Sequence, residues 1–122
     1  MINCNQMVVD QISDADVDRL FHALADATRR DIVRRTLTDE HSISDLARGY
    51  AMSMTAVQKH VLVLERAGLV SKRRHGREQR VVGNVEAVKR AQQLLDELER
   101  LWRQRFDRIG ELLAEPSKGD PQ

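Results

Sequence analysis

Cysteine, proline and aromatic residues are all scarce in this chain of 122 residues. The single cysteine, Cys4, excludes an internal disulfide and a redox pair, and we expect it to be a free thiol. No apolar stretch approaches the ~20 residues that a membrane span needs. The N-terminus also lacks the basic and apolar regions of a secretory signal. These absences predict a cytoplasmic protein with a core of aliphatic side chains.

Charge is unevenly distributed, although the formal net charge is only +1. Residues 52–83 contain seven Lys and Arg against two Asp and Glu, whereas the segments on either side are net acidic. A basic middle is typical of a face that binds a polyanion, and the alternative is a solvated charged loop. Paired carboxylates, a nucleophile with a base, a phosphate-binding glycine loop and zinc-ligand spacing are all missing from the pattern. The sequence therefore predicts that the protein is not an enzyme and binds no metal or cofactor.

Hydrophobic periodicity and capping residues predict four helices, a hairpin and a long fifth helix. The predicted helices begin at residue 13 or 14, at 27, after Ser42, after Ser53 and at 85. Two strands, 69–75 and 78–82, flank Gly76-Arg77, a hairpin signal. The predicted organisation is an N-terminal arm (1–12), a DNA-binding core (13–84), a dimerisation helix (85–114) and a disordered tail (115–122).

A pair of short helices followed by a basic hairpin predicts a winged helix-turn-helix, mainly α with the order α-α-α-α-β-β-α. The second helix of the pair is then the recognition helix in the major groove of double-stranded DNA. Its predicted contact residues are Ser53, Thr55, Ala56, Gln58, Lys59 and His60. The hairpin is the wing, with predicted contacts from Lys72, Arg73, Arg74, His75, Arg77 and Arg80. The arginines of the second helix are interpreted as a solvated face, with a DNA-backbone contact by Arg29 or Arg30 left open.

The last predicted helix carries an apolar stripe longer than a domain of this size can cover, which favours a homodimer. The predicted interface joins the first and last helices, through Leu20, Leu95, Leu98, Trp102, Phe106 and Ile109. The alternative for Trp102 is a role in stacking on a ligand. The four histidines are scattered, so a metal site made from them is the weaker interpretation.

Four segments resemble the ArsR family of bacterial repressors: residues 21–30, 45–47, 52–61 and 64–70, followed by Gly76-Arg77. The resemblance implies a homodimer that represses its own operon by binding an inverted repeat in the nucleoid. Metal sensors of this family carry Cys-x-Cys where this chain has Ser42 and Ser44, and residues 85–113 lack histidine. The chain is thus similar to the metal-independent branch. A winged-helix protein-interaction module without sequence-specific DNA binding is the alternative function.

Overall fold

The computed structural model describes residues 13–114. The predicted arm (1–12), which contains Cys4, and the predicted tail (115–122) lie outside the described residues. Contacts divide the chain into one compact unit that ends at Ala91 and a second that begins at Gln92. The predicted winged helix-turn-helix lies in the first unit.

Between residues 13 and 114, five helices and three strands follow one another. They are α1 (Asp14–Leu24), α2 (Ala27–Thr38), β1 (His41–Ser42), α3 (Ile43–Arg48), α4 (Met54–Arg66), β2 (Val70–His75), β3 (Glu78–Gly83) and α5 (Val85–Ala114). The strands form an antiparallel sheet in the order β1-β3-β2. This order confirms the predicted fold class, with one addition. Strand β1 was not predicted, because two residues are too few to show a period.

Each of the first four helices begins after a side chain that accepts a backbone hydrogen bond. The oxygens of Ser13, Asp26, Ser42 and Ser53 accept from the N–H three residues later, at 3.0–3.1 Å. Each such cap contributes about 1 kcal/mol of stability. At α3 the capping box is complete, because the Asp45 carboxylate accepts from the Ser42 N–H in return. The local sequence therefore determines where these helices start.

Aliphatic side chains from the helices of the first unit and from β2 and β3 fill its core. The fully buried large side chains are Ile32, Leu46, Val57, Val61, Leu64, Leu69 and Val81. Leu20 of α1 joins them with 2% exposure. The prediction that Leu20 lies in a dimer interface is therefore wrong, because its own chain already covers the side chain.

Two glycines make the turns before the hairpin and at its tip. Gly68 follows α4 with φ +77° and Gly76 lies at the hairpin tip with φ +68°. Residues other than glycine rarely adopt a positive φ. Gly83, at the end of β3, allows a close approach instead. A Cβ there would lie 2.9 Å from the backbone nitrogen and side chain of Leu37. These positions set the hairpin against α2 and α4.

Candidate nucleic-acid interface

Helix α4 has one face in the core and one row of side chains in water. Val57, Val61 and Leu64 are completely buried. Four of the predicted contact residues are exposed on the opposite side: Ser53, Thr55, Gln58 and Lys59. Ala56 beside them is half-buried. Thr55, Gln58 and Lys59 make no side-chain hydrogen bond or ion pair to any residue in the described range 13–114. This row is free to contact a ligand.

His60 differs from its prediction as a DNA-facing residue. Its ring is half-buried, and the guanidinium Nη1 of Arg29 donates to its Nδ1 at 3.3 Å. Because arginine has no acceptor, this contact requires an unprotonated Nδ1. His60 therefore belongs to the packing between α2 and α4, although it directly follows Lys59 of the exposed row.

Arg29 and Arg30 of α2 bind the C-terminal end of α1, a role that their interpretation as a solvated face did not include, whereas Arg34 is exposed and pairs with Asp31. Arg29 donates to the carbonyls of His22 and Ala23 at 3.0 and 2.8 Å, and Arg30 donates to the Leu24 carbonyl at 2.8 Å. These oxygens lie at the C-terminal end of α1, where helix carbonyls lack intrahelical partners. With a donor on each of its three nitrogens so engaged, Arg29 has fewer donors left for a DNA phosphate.

A second anchor joins α2 to the segment between α3 and α4. The Arg35 guanidinium donates to the carbonyls of Asp45 and Leu46 at 3.4 Å and lies 5.3 Å from the centroid of the Tyr50 ring. The Tyr50 hydroxyl donates to the Asp31 carboxylate at 2.6 Å. This bond lowers the pKa of Asp31, and burial raises the pKa of Tyr50. The contacts fix the turn before α4.

Sequence reasoning missed these anchors because the partners lie 10 to 19 residues apart along the chain. The only local signal was the arginine-rich composition of α2, and composition does not distinguish a solvated arginine from one that caps a helix. The missed residues position α4 and do not face its exposed side.

The wing carries five cationic side chains, and the structure divides them into two groups. Ion pairs within the chain hold three of them. Lys72 lies 3.6 Å from Glu65 of α4, Arg73 lies 3.0 Å from Glu40, and Arg80 lies 3.9 Å from Glu40 and 3.3 Å from Glu78.

The other two wing cations, Arg74 and Arg77, form no ion pair with any residue between 13 and 114. Both are exposed, as is His75, and they lie beside the Gly76 turn. The wing therefore presents its unpaired positive charge at the tip, while its base is tied to α4 and to the residue before β1.

The part of α5 beyond Ala91 exposes a row of large apolar side chains. Members spaced by three or four residues lie on one face of the helix. The predicted interface residues of this row are 43–62% exposed: Leu95, Leu98, Trp102, Phe106 and Ile109. Trp102 and Phe106 stack with their ring centroids 5.2 Å apart. Within residues 92–114, the described part of its compact unit, no other element covers this row.

Other kinds of site find no support between residues 13 and 114. No group of three or more His, Cys, Asp or Glu there could hold a metal ion. No helix in that range is both long and apolar enough to cross a membrane. A helix pair, its exposed polar row and the adjoining hairpin together define a winged helix-turn-helix protein.

Comparisons with known proteins agree with this class. A helix-turn-helix domain family matches residues 24–73. The regulator YuzN of Bacillus subtilis, an uncharacterised HTH-type transcriptional regulator, is 39% identical over 79 residues, or 59% of this chain and 86% of that protein. The HTH-type transcriptional regulator Rv2034 of Mycobacterium tuberculosis is 44% identical over 59 residues, or 48% of this chain. The chain spans only 55% of the length of Rv2034.

A solved structure of an ArsR-like transcriptional regulator from Rhodococcus sp. RHA1 is also similar. It matches with a TM-score of 0.73 at 28% identity, over 80% of this chain and 92% of that one. The chain belongs to the ArsR family of winged helix-turn-helix transcriptional regulators. The predicted family is thus confirmed, and the chain is a transcriptional regulator with a helix-turn-helix DNA-binding fold.

Proposed function

We propose that the protein binds a specific operator in double-stranded DNA, with α4 in the major groove. The observation that carries the proposal is the exposed row of Thr55, Gln58 and Lys59, which has no partner in the described part of the chain. An amide can pair with an adenine edge, a methyl group can contact thymine, and an ammonium suits guanine or phosphate. Ser53, which caps α4, lies where the helix N-terminus favours a phosphate.

The wing follows the DNA backbone in this proposal. Arg74 and Arg77 contact phosphates, since neither forms an ion pair with a residue of the described range. Lys72, Arg73 and Arg80 mainly fix the hairpin to the rest of the unit through Glu65 and Glu40. His75 at the tip contacts the same strand.

The proposed DNA-binding species is a homodimer that buries the apolar row of α5 against a second copy. Leu95, Leu98, Trp102, Phe106 and Ile109 form too large an exposed apolar surface for a chain that works alone. Two copies related by a twofold axis read an inverted repeat with half-sites about one helical turn apart. The contribution of α1 to this interface comes from its exposed side and not from Leu20.

We further propose that the protein represses its own operon and senses no metal. The first part follows from the family resemblance. The second follows from Ser42 and Ser44, whose hydroxyls lie 3.2 Å apart and are poor ligands for soft metals. The Ser42 hydroxyl also accepts from the Asp45 N–H as the cap of α3.

Fluorescence anisotropy with duplexes from the region upstream of the protein's own gene tests the proposal. We expect affinity for one segment at least about a thousandfold above that for a shuffled duplex, together with a steep salt dependence. Equal affinity for both duplexes contradicts operator binding and favours the protein-interaction module.

A further inference from the structure

A charged cleft lies on the first compact unit, where α1, the end of α4 and the start of α5 meet. Its volume is about 330 Å³, which is in the range of pockets that hold small molecules. The lining residues are Asp16, Arg19, Leu20, Arg66, Ala67, Gly68, Ala87 and Arg90. Neither the exposed row of α4 nor the wing tip contributes to this cleft.

The cleft combines an apolar floor with a cationic rim. Leu20 and Ala87 are 2% and 1% exposed, so they form a closed base. Arg66 and Arg90 are exposed and make no ion pair with any residue from Ser13 to Ala114. A third guanidinium, that of Arg19, also lines the cleft.

The contact between Asp16 and Arg19 shows that the rim can bind a carboxylate. The Arg19 Nη2 donates to the Asp16 carboxylate at 2.5 Å, and this bond holds the pKa of Asp16 below its usual value. Guanidinium groups match carboxylate and phosphate oxygens in a planar, two-point geometry. Three guanidiniums against one carboxylate leave two positive charges at the cleft without a counter-charge.

The position of the cleft separates it from the DNA contacts. Arg66 lies at the opposite end of α4 from Ser53, about 20 Å away along the helix axis. The cleft joins α4 to α1, which packs against it, and to the first turns of α5. A molecule bound there would contact the recognition helix and both helices of the proposed dimer at once.

We propose that this cleft binds a small organic anion that carries carboxylate or phosphate groups. The oxyanions contact Arg66 and Arg90, with Arg19 as a third contact when it leaves Asp16. The body of the ligand lies between these arginines, above the closed apolar floor. An effect of the ligand on operator affinity rests on the proposed function, whereas binding itself does not.

Isothermal titration calorimetry on the DNA-free protein tests the site. The probes are citrate and glycerol 3-phosphate, each with its neutral counterpart, trimethyl citrate and glycerol. We expect at least one anion to bind with a dissociation constant below about 1 mM, and neither neutral probe to bind. The two anions distinguish a carboxylate from a phosphate ligand. The absence of saturable binding by either anion up to about 10 mM overturns the proposal.

Three variants link the binding to this cleft. The double variant Arg66→Gln, Arg90→Gln should weaken anion binding at least tenfold. The control Arg34→Gln should leave it unchanged, because Arg34 is exposed and, among residues 13–114, pairs with Asp31 alone. Asp16→Asn should strengthen binding by about threefold or more, because it frees Arg19 and removes a competing charge. If the anion binds all three variants with equal affinity, the assignment of its site to this cleft is wrong. If an anion binds but no operator is found, the site stands and the proposed function fails.

Discussion

Neutralising Arg77 at the wing tip should flatten the salt dependence of operator binding. Each phosphate contact contributes about 0.9 to the slope of the logarithm of affinity against the logarithm of salt concentration. A dimer carries two wings, so Arg77→Gln should reduce the slope by ~1.8. Between about 50 and 200 mM salt, this change corresponds to a roughly twelvefold smaller loss of affinity.

Arg73→Gln is the matched control because it removes the same charge from the same hairpin. Arg73 is held by Glu40 at 3.0 Å, so it must leave a carboxylate before it can contact a phosphate. We expect this variant to change the slope by less than half as much as Arg77→Gln.

Fluorescence anisotropy titrations of the operator duplex over a series of salt concentrations measure both slopes. An unchanged slope in Arg77→Gln, or a slope that Arg73→Gln flattens equally, refutes the division of the wing into held and free cations. A change in sequence preference without a change in slope contradicts the assignment of Arg77 to the phosphates.

Three further predictions test α4, the proposed dimer and the turn before α4. Gln58→Ala should cost about 1–3 kcal/mol on the operator and less on random duplex, measured by competition titration. Trp102→Glu should dissociate the dimer in analytical ultracentrifugation and abolish operator affinity, whereas Gln104→Glu on the same helix should do neither; a monomer with full affinity rules the interface out. Tyr50→Phe should lower the free energy of unfolding by about 1 kcal/mol at neutral pH, because water competes at the 41%-exposed Asp31. Chemical denaturation should show this difference vanishing as the pH falls through the lowered pKa of Asp31, since only the ionised carboxylate accepts the strong bond that the Tyr50 hydroxyl donates in the unsubstituted protein.

Features that depend on local patterns could be predicted from the sequence. Ser53 and Gly68 bound α4 as their capping preferences indicate, and the buried side of α4 follows from the spacing of Val57, Val61 and Leu64. The hairpin turn at Gly76 also follows from a local pattern, because the turn requires a positive φ. These elements define most of the winged helix-turn-helix.

Features that depend on distant partners could not be predicted. Arg73 and Arg77 look alike in the sequence, and only the approach of Glu40, 33 residues before Arg73, separates them. His60 occupies a position on α4 that periodicity assigns to a flanking face, and its contact with Arg29 spans 31 residues. Leu20 was placed in an interface because an apolar stripe does not reveal whether its own chain or a second copy covers it.

The arginines of α2 limit where this protein can attract a polyanion. Arg29, Arg30 and Arg35 give their donors to backbone oxygens, so a count of basic residues overstates the charge that DNA meets. Lysine cannot replace Arg29, since a single ammonium cannot reach two carbonyls and an imidazole in one plane. On the proposed DNA-binding surface, unpaired positive charge at Lys59 and at the hairpin tip would suit the proposed regulator, which must leave random duplex quickly and remain at a matching site.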